Sequence, residues 1–467
     1  MRRTAGVAIG AFVALVLAGT AGAAAWSYAD DEGRPVGTWH EAPGVARTPV
    51  SAEESVREPA GAKVSPGAAA GAAAQPEAAA QSPVTPTAES LQEGHKVILE
   101  SAPAAGRQRV GELLRVDRLL GYPTASPRPE KFVYPGASYV KLHFSRMAML
   151  PGDYLTVSNA DGTEAYQYDA PSVLDTAPAN KWAMSVTGDT AVLEMHRAAD
   201  PLGLTSAVSR LGVRVDRVAR AFSRTEQRRQ PEHELTAPDR TGREESVCGN
   251  DTSADAVCYR SADPVAYTKS KAIARLLING TELCTGWRVG PNNRMLTNNH
   301  CFTNSSQAYD TEVWFNYQCA QCGGYDVFQP TKVWGSKVLS TDHVYDYTLF
   351  SVDNFAAIRK FGYLLLDTAR PAKNQELYVP QHPAGEPTRI AGSLGEKAGN
   401  CSVADPAYTG YAANSDVSYY CDTEGGSSGS PVLSRATNKV VALHHFGGCP
   451  NSGVRGDLLA AKLARML

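Results

Sequence analysis

Apolar and polar positions alternate with a period of two in several short runs between residues 139 and 195. Val140, Leu142 and Phe144 alternate with Tyr139, Lys141 and His143; Leu155 and Val157 follow a Pro-Gly-Asp turn at 151–153; Leu193 and Met195 alternate with Val192 and Glu194 after Gly188-Asp189. Period-two runs bounded by Gly, Pro and Asp predict short strands, and a series of them predicts a small β-sandwich. The run from Leu204 to Phe222 stays open: Leu204, Val208, Leu211, Val215, Val218 and Phe222 keep helical spacing, while Gly212 and the Val-Arg-Val alternation allow a strand. The last residues, Leu458 to Leu467, form an amphipathic run that predicts a helix, with Asp457 suited to its N-cap.

The N-terminal pattern differs. Arg2 and Arg3, an apolar run from Gly6 to Gly19 and the small residues Ala23-Ala24-Ala25 follow the order of a secretory signal, residues 1–25. The apolar run is short for a membrane span, and an uncleaved anchor is the alternative. Residues 26–89 are dominated by Ala, Pro, Gly, Ser and Glu, too poor in large apolar side chains to offset ordering entropy, and are expected to be a disordered linker. A β-rich domain follows over 90–243, a propeptide or an accessory module. Between Ser223 and Glu245 the chain turns polar and Arg-rich, with Arg228, Arg229, Arg240 and Arg243, and a boundary is expected there. The second domain is 244–467.

Composition changes this picture in one respect. A formal net charge of -3 over 467 residues, 20% of them charged, supplies no basic field for nucleic acid. All nine cysteines lie between Cys248 and Cys449, so disulfide chemistry is confined to the second domain and points to an oxidising compartment. With no second apolar stretch of spanning length, the expectation is a secreted, extracellular chain with no membrane partner.

The candidate chemistry lies in the second domain. Gly425-Gly426-Ser427-Ser428-Gly429-Ser430-Pro431 is a Gly-rich turn around a serine. A nucleophilic serine needs small neighbours so that its hydroxyl projects from a tight turn and backbone N–H groups face the oxyanion; Ser428 is the nucleophile in this reading, and the N–H groups of Gly426 and Ser428 are the hole. Upstream, Met295-Leu296-Thr297-Asn298-Asn299-His300-Cys301 is an apolar run delivering a histidine beside a cysteine able to bridge back to Cys284, and Asp346 opens the apolar run Tyr347-Thr348-Leu349-Phe350. His, Asp and Ser in this order are the base, orienting carboxylate and nucleophile of a two-barrel arrangement. Asp342 is the competing acid and His343, His382 and His444 the competing bases, in contexts without the flanking cysteine. Cys319 and Cys322 make one Cys-x-x-Cys with no second pair, so no metal site is expected, and no cofactor.

These segments resemble the chymotrypsin-like (trypsin-like) serine peptidases, and more closely the bacterial lysyl endopeptidase type, over Ser246 to Leu467. Supporting features are Asn316-Tyr317-Gln318, Gln381-His382-Pro383 and Leu443-His444-His445-Phe446-Gly447-Gly448-Cys449. The resemblance implies an all-β fold, a double β-barrel with a C-terminal helix, behind the small β-sandwich. It implies a monomeric serine endopeptidase made as a zymogen and acting on protein or peptide substrates, with the disulfides Cys248–Cys449, Cys258–Cys322 and Cys284–Cys301. Cys401–Cys421 is the natural remaining pair and Cys319 is odd. Ser427 stands where animal trypsins have Asp, so their activating salt bridge is missing. Asp422 matches the position that offers a carboxylate to Lys or Arg substrates. In glutamyl-specific relatives a histidine resembling His445 reads an acidic side chain instead, so the two pointers conflict. The rival function is a non-catalytic secreted binding protein that uses the N-terminal β-domain.

Overall fold

The computed structural model describes residues 40–41, 96–97, 106–121, 128–170, 178–197, 212–229, 247–324, 326–392 and 401–467. The signal at 1–25, nearly all of the linker, the run 204–211 and the basic residues Arg240 and Arg243 lie outside them. No helix among the described residues is long and apolar enough to cross a membrane.

Two antiparallel sheets make the first domain. One contains Tyr154–Ser158, Ala165–Asp169, Thr190–His196 and Glu130–Val133; the other is centred on Tyr139–Ala148, Gly212–Ala221 and Gly111–Gly121. The ambiguous segment resolves as strand over Gly212–Ala221, paired on both sides, so ladder bonds to two neighbours override its helical spacing. The alternation at 139–144 does not produce one wet face, because all six residues are buried. Lys141 turns towards the second domain and pairs with Glu312 at 2.8 Å, both side chains at most 1% exposed.

The second domain is two antiparallel barrels. In the first, Ile273–Ile278, Thr311–Phe315, Thr331–Asp342, Tyr347–Val352, Met295–Thr297 and Glu282–Arg288 follow one another, and the first and last pair to close the ring. In the second, Leu377–Gln381, Pro431–Ser434, Val440–Phe446, Asn451–Arg455, Asp416–Tyr419 and Val403–Tyr408 run in sequence, and a Glu376–Ser402 bridge closes them. This is the chymotrypsin-like double barrel with a C-terminal helix, Gly456–Leu463. Asp457 is not that helix's N-cap. Arg455 holds the position without a side-chain cap bond, and Asp457 sits in the first turn, bonded through Oδ1 at 3.0 Å to Arg455 Nε.

A single core cluster joins the barrels, with Trp287, Leu296 and Leu349 from one and Leu433, Leu443 and Val454 from the other. The sandwich is also joined to the first barrel: its core continues into Leu277, Leu283, Trp314, Tyr317 and Trp334. A second buried ion pair crosses this junction, Lys332 to Glu164 at 2.8 Å. Burying such charges is tolerated only with close partners, so the two domains are packed as one body rather than strung on a linker.

Candidate active site

The Met295–Thr297 strand, buried throughout, pairs with Tyr347–Val352 and ends in the turn that carries His300. Asp346 immediately precedes the partner strand, so the ladder register sets it opposite that turn. Three bonds fix the pair: His300 N–H donates to Asp346 Oδ1 at 3.0 Å, His300 Nδ1 lies 2.8 Å from Oδ2, and Asn298 Nδ2 donates to the Asp346 carbonyl at 2.8 Å. Asp346 takes this place with φ 37, a left-handed conformation uncommon for a non-glycine residue. Burial opposes its charge, but the electrostatic pull of His300 and His445 and the hydrogen bonds from both rings prevail and hold the carboxyl well below the usual range. With Nδ1 committed to the carboxylate, His300 Nε2 is buried without a hydrogen-bond partner among the described residues, the ring atom that a general base would use.

Ser428, in the other barrel, is tied to the His300 turn through the backbone and a disulfide. Its carbonyl accepts from Thr285 N–H at 2.8 Å, and Thr285 follows Cys284, which is disulfide-bonded to the residue after His300. Around the serine, the amides of Ser427, Gly429 and Ser430 donate to the carbonyls of Glu424, His444 and Ser427. The amides of Gly426 and Ser428 have no acceptor among the described residues. Gly426 at φ 94 and Gly429 at φ 88 supply the left-handed turns this loop requires. Two such uncommitted amides, on either side of Ser427, are what an anion-accepting pair requires.

The two residues expected to read the substrate are otherwise engaged. Asp422 accepts from Thr252 N–H at 2.8 Å, Thr252 Oγ1 at 2.6 Å and Cys248 N–H at 3.3 Å, so its carboxylate anchors the start of the second domain. His445 does not line a pocket: its side chain is fully buried, Nδ1 lies 3.1 Å from Asp346 Oδ2 and Nε2 lies 2.7 Å from Asp416 Oδ2, so both ring nitrogens are spent. Burial disfavours its charge, yet Asp416 and Asp346 outweigh burial and raise it to about 9. Asp416 was not legible as a site residue, since nothing in Ser415-Asp416-Val417 distinguishes it from a solvated turn. The neighbour His444 is the residue beside the nucleophile loop, exchanging backbone bonds with Gly429 and Ser430. Its Nδ1 is 2.7 Å from the Tyr419 hydroxyl, and burial lowers it to about 3, so the ring is neutral.

Of the competing residues, His382 is fully buried and lowered to about 3, chiefly by burial, and Asp342 caps a turn and pairs with Lys462. Disulfides join Cys248–Cys449, Cys258–Cys322, Cys284–Cys301 and Cys401–Cys421, leaving Cys319 as the buried free thiol. Ligand atoms of Cys284, His300 and Cys301 lie within 4.8 Å of one another, but the two sulfurs are bonded to each other and offer no thiolate to a metal.

A family model described as a trypsin-like peptidase domain matches residues 284–443, the stretch that holds His300, Asp346 and Ser428, and it supports a serine protease as the general class. The chain is 41% identical over 222 residues to the secreted RxLR effector protein 73 of Plasmopara viticola, covering 46% of this chain and 54% of that protein. It thus spans about half the length of the curated relative it matches. Among solved structures, a Glu endopeptidase in complex with MPD is 19% identical at a TM-score of 0.34, covering 47% of this chain and 100% of that one. The inactive form of the Rv3671c protease is 18% identical at a TM-score of 0.31, covering 44% and 95%.

Proposed function

We propose that this chain is a secreted serine endopeptidase. Ser428 attacks the scissile carbonyl, His300 takes its proton through Nε2 and returns it to the leaving amine, and Asp346 holds the imidazole tautomer and stabilises its charged form. The N–H groups of Gly426 and Ser428 receive the oxyanion. The observation that carries this reading is the His300–Asp346 pair at 2.8 Å with Nε2 left unpartnered, in a turn that the Cys284–Cys301 disulfide and the Thr285–Ser428 backbone bond tie to the glycine-rich serine loop. Secretion is supported by the four disulfides and by the secreted relative. Reaction of the protein with a fluorophosphonate probe tests the chemistry. The expected result is an adduct on Ser428 that Ser428→Ala abolishes; no adduct, with unchanged behaviour of the variant, returns the chain to the class of binding proteins.

For the residue before the cut, the chemistry beside the nucleophile favours an acidic side chain over Lys or Arg. Asp422 already accepts three hydrogen bonds, whereas His444 is neutral and Thr423 Oγ1 is buried with no partner. With Nδ1 engaged by the Tyr419 hydroxyl, Nε2 is the ring nitrogen left for an incoming carboxylate, and it carries the proton in the tautomer where the hydroxyl donates. Digestion of a peptide library is expected to show cuts after Glu; predominant cutting after Lys or Arg restores Asp422 and the lysyl type.

The region 90–243 acts as a propeptide in this scheme, removed at the Arg-rich junction. Mass spectrometry of the active secreted species checks it, and an active form that retains the sandwich overturns it.

A further inference from the structure

The strand Glu282–Arg288 has an incomplete neighbour. On one side it pairs from Glu282 to Trp287 with Ile273–Ile278, but on the other the short Met295–Thr297 strand reaches only Trp287 and Arg288. The open edge at Glu282 and Leu283 is filled from outside the barrel, by Gln108 and Arg109 of the first domain in antiparallel register. Val110 continues the contact, donating its N–H to the Thr281 carbonyl at 2.8 Å.

This added segment lies on the candidate catalytic machinery. Arg107 donates from Nε to the His300 carbonyl at 3.4 Å and from a terminal nitrogen to the Glu282 carboxylate at 2.5 Å. Gln108 covers the nucleophile loop: its Oε1 lies against Gly425, and a Cβ on Gly426 would come within 3.4 Å of its Cβ. Arg107, Gln108 and Val110 are 6%, 2% and 2% exposed, so this is a filled groove and not a surface brush. An extended segment adding itself to an open sheet edge is how proteases and other proteins hold peptides, with main-chain bonds giving affinity and side-chain pockets giving selectivity. The histidine that protonates the leaving amine faces the leaving-group half of the substrate, and Arg107 rests on the backbone of that histidine.

We propose that the Glu282–Leu283 edge is the leaving-group half of the substrate groove, and that Glu282 with the His300 carbonyl forms a subsite for a basic side chain there, occupied in the intact chain by Arg107. The inference rests on the peptidase reading above and adds to it two things. The substrates are peptides carrying Arg or Lys just beyond the cut, and the 106–110 segment, in binding like such a substrate, keeps the groove closed. A guanidinium matches this site because it donates in one plane to a carboxylate and a carbonyl together.

Two measurements on the full chain separate this inference from its premise. The first is the rate of fluorophosphonate labelling of Ser428, which needs no peptide recognition. Arg107→Glu, which sets a carboxylate against Glu282, is expected to speed labelling at least tenfold over wild type. Gln108→Pro, which removes a strand donor without changing charge, should do the same, and serves if the first variant does not fold. The second uses quenched peptides with Arg, Ala or Glu scanned over the first three positions after the cut. The opened chain should prefer Arg to Glu by about tenfold in kcat/KM at one of those positions, and Glu282→Gln should bring that ratio below about twofold. Labelling of Ser428 with no faster rate in either variant, or equal cleavage of the Arg and Glu peptides, overturns the subsite and leaves the peptidase intact. No labelling of Ser428 in any form overturns both.

Discussion

His445 donates from Nδ1 to Oδ2 of Asp346, the carboxylate oxygen that His300 also holds. With Nε2 bonded to Asp416 at 2.7 Å, His445 is an imidazolium clasped between two buried carboxylates. Ser452 and Ser415 hydroxyls complete the shell of Asp416, at 3.0 and 2.8 Å. In the proposed mechanism, the transfer of the nucleophile's proton to His300 adds a second cation beside the two buried carboxylates that hold His445. On that reading the buried carboxylates favour the protonated intermediate.

Removing the clasp should be costly. His445→Gln leaves Asp346 and Asp416 buried with their cation gone, and breaking a buried pair in this way typically destabilises by roughly 3–5 kcal/mol. Denaturant melts of the variant measure it; a loss below about 1 kcal/mol would show that the carboxylates are solvated after all.

Stability should fall on both sides of neutrality, for opposite reasons. His382 and His444, lowered to about 3 chiefly by burial, refuse protons that the unfolded chain accepts near 6.5; their contribution is complete above pH 6.5 and shrinks as pH drops towards 3. His445, raised to about 9, works the other way: its contribution is complete below 6.5 and is lost as pH rises through about 9. Thermal midpoints measured across this range should form a dome, and His445→Gln should flatten its alkaline side. An alkaline limb unchanged by that substitution would assign the loss to other groups.

The glycines of the nucleophile loop should not tolerate alanine. A Cβ on Gly426 would lie 2.7 Å from Leu283 Cδ2 and 3.0 Å from the His382 carbonyl, at a φ of 94 that L-residues avoid. The strain amounts to about 1–3 kcal/mol, and relief by shifting the loop would withdraw an oxyanion donor, an effect of about 100-fold or more on kcat. Kinetics of Gly426→Ala check this, with near wild-type kcat as the contrary result.

Cysteine substitutions should separate clearly. Cys248–Cys449 spans 201 residues, and chain-entropy models assign such a loop about 5 kcal/mol. Cys319 closes no loop, and its thiol, pushed up to about 12 chiefly by burial, is unreactive in the folded protein. Cys248→Ser is expected to reduce secreted yield and melting temperature far more than Cys319→Ser does; equal tolerance would retire the tether as a stabilising element.

Local pattern made some of this structure readable and left the rest silent. The double barrel could be inferred because the Met295–Thr297 and Tyr347–Val352 runs are apolar, short and closed by polar turns, so strand ends and candidate chemistry coincide. Gly212–Ala221 stayed ambiguous because its helical spacing is a local property, whereas its two flanking strands arrive from residues 111 and 139 onwards. His444 and His445 are neighbours on one strand, and a single-residue register decides which of them meets Tyr419 and which meets Asp346. No spacing rule marks Asp416, Glu282 or Arg107, whose importance comes from partners 29, 175 and 193 positions away. Lys141 is the clearest case of tertiary override: in an alternating run it reads as solvated, but Glu312 makes its burial possible.

The Lys141–Glu312 and Lys332–Glu164 pairs also set a timescale. Cutting the chain between the domains leaves both pairs and the shared core in place, so the two pieces persist as a noncovalent complex. To come apart, each ion must lose its partner in apolar surroundings before water arrives, and that unfavourable moment is the barrier to dissociation. In the propeptide scheme proposed above, latency after the first cut would then be a residence time governed by an off-rate, and added salt would do little to it because the pairs are screened from solution. In the proposed propeptide scheme, the rapid way to an open groove is further proteolysis of the sandwich itself, so that clearance of the first domain, rather than the initial cut, would time activation.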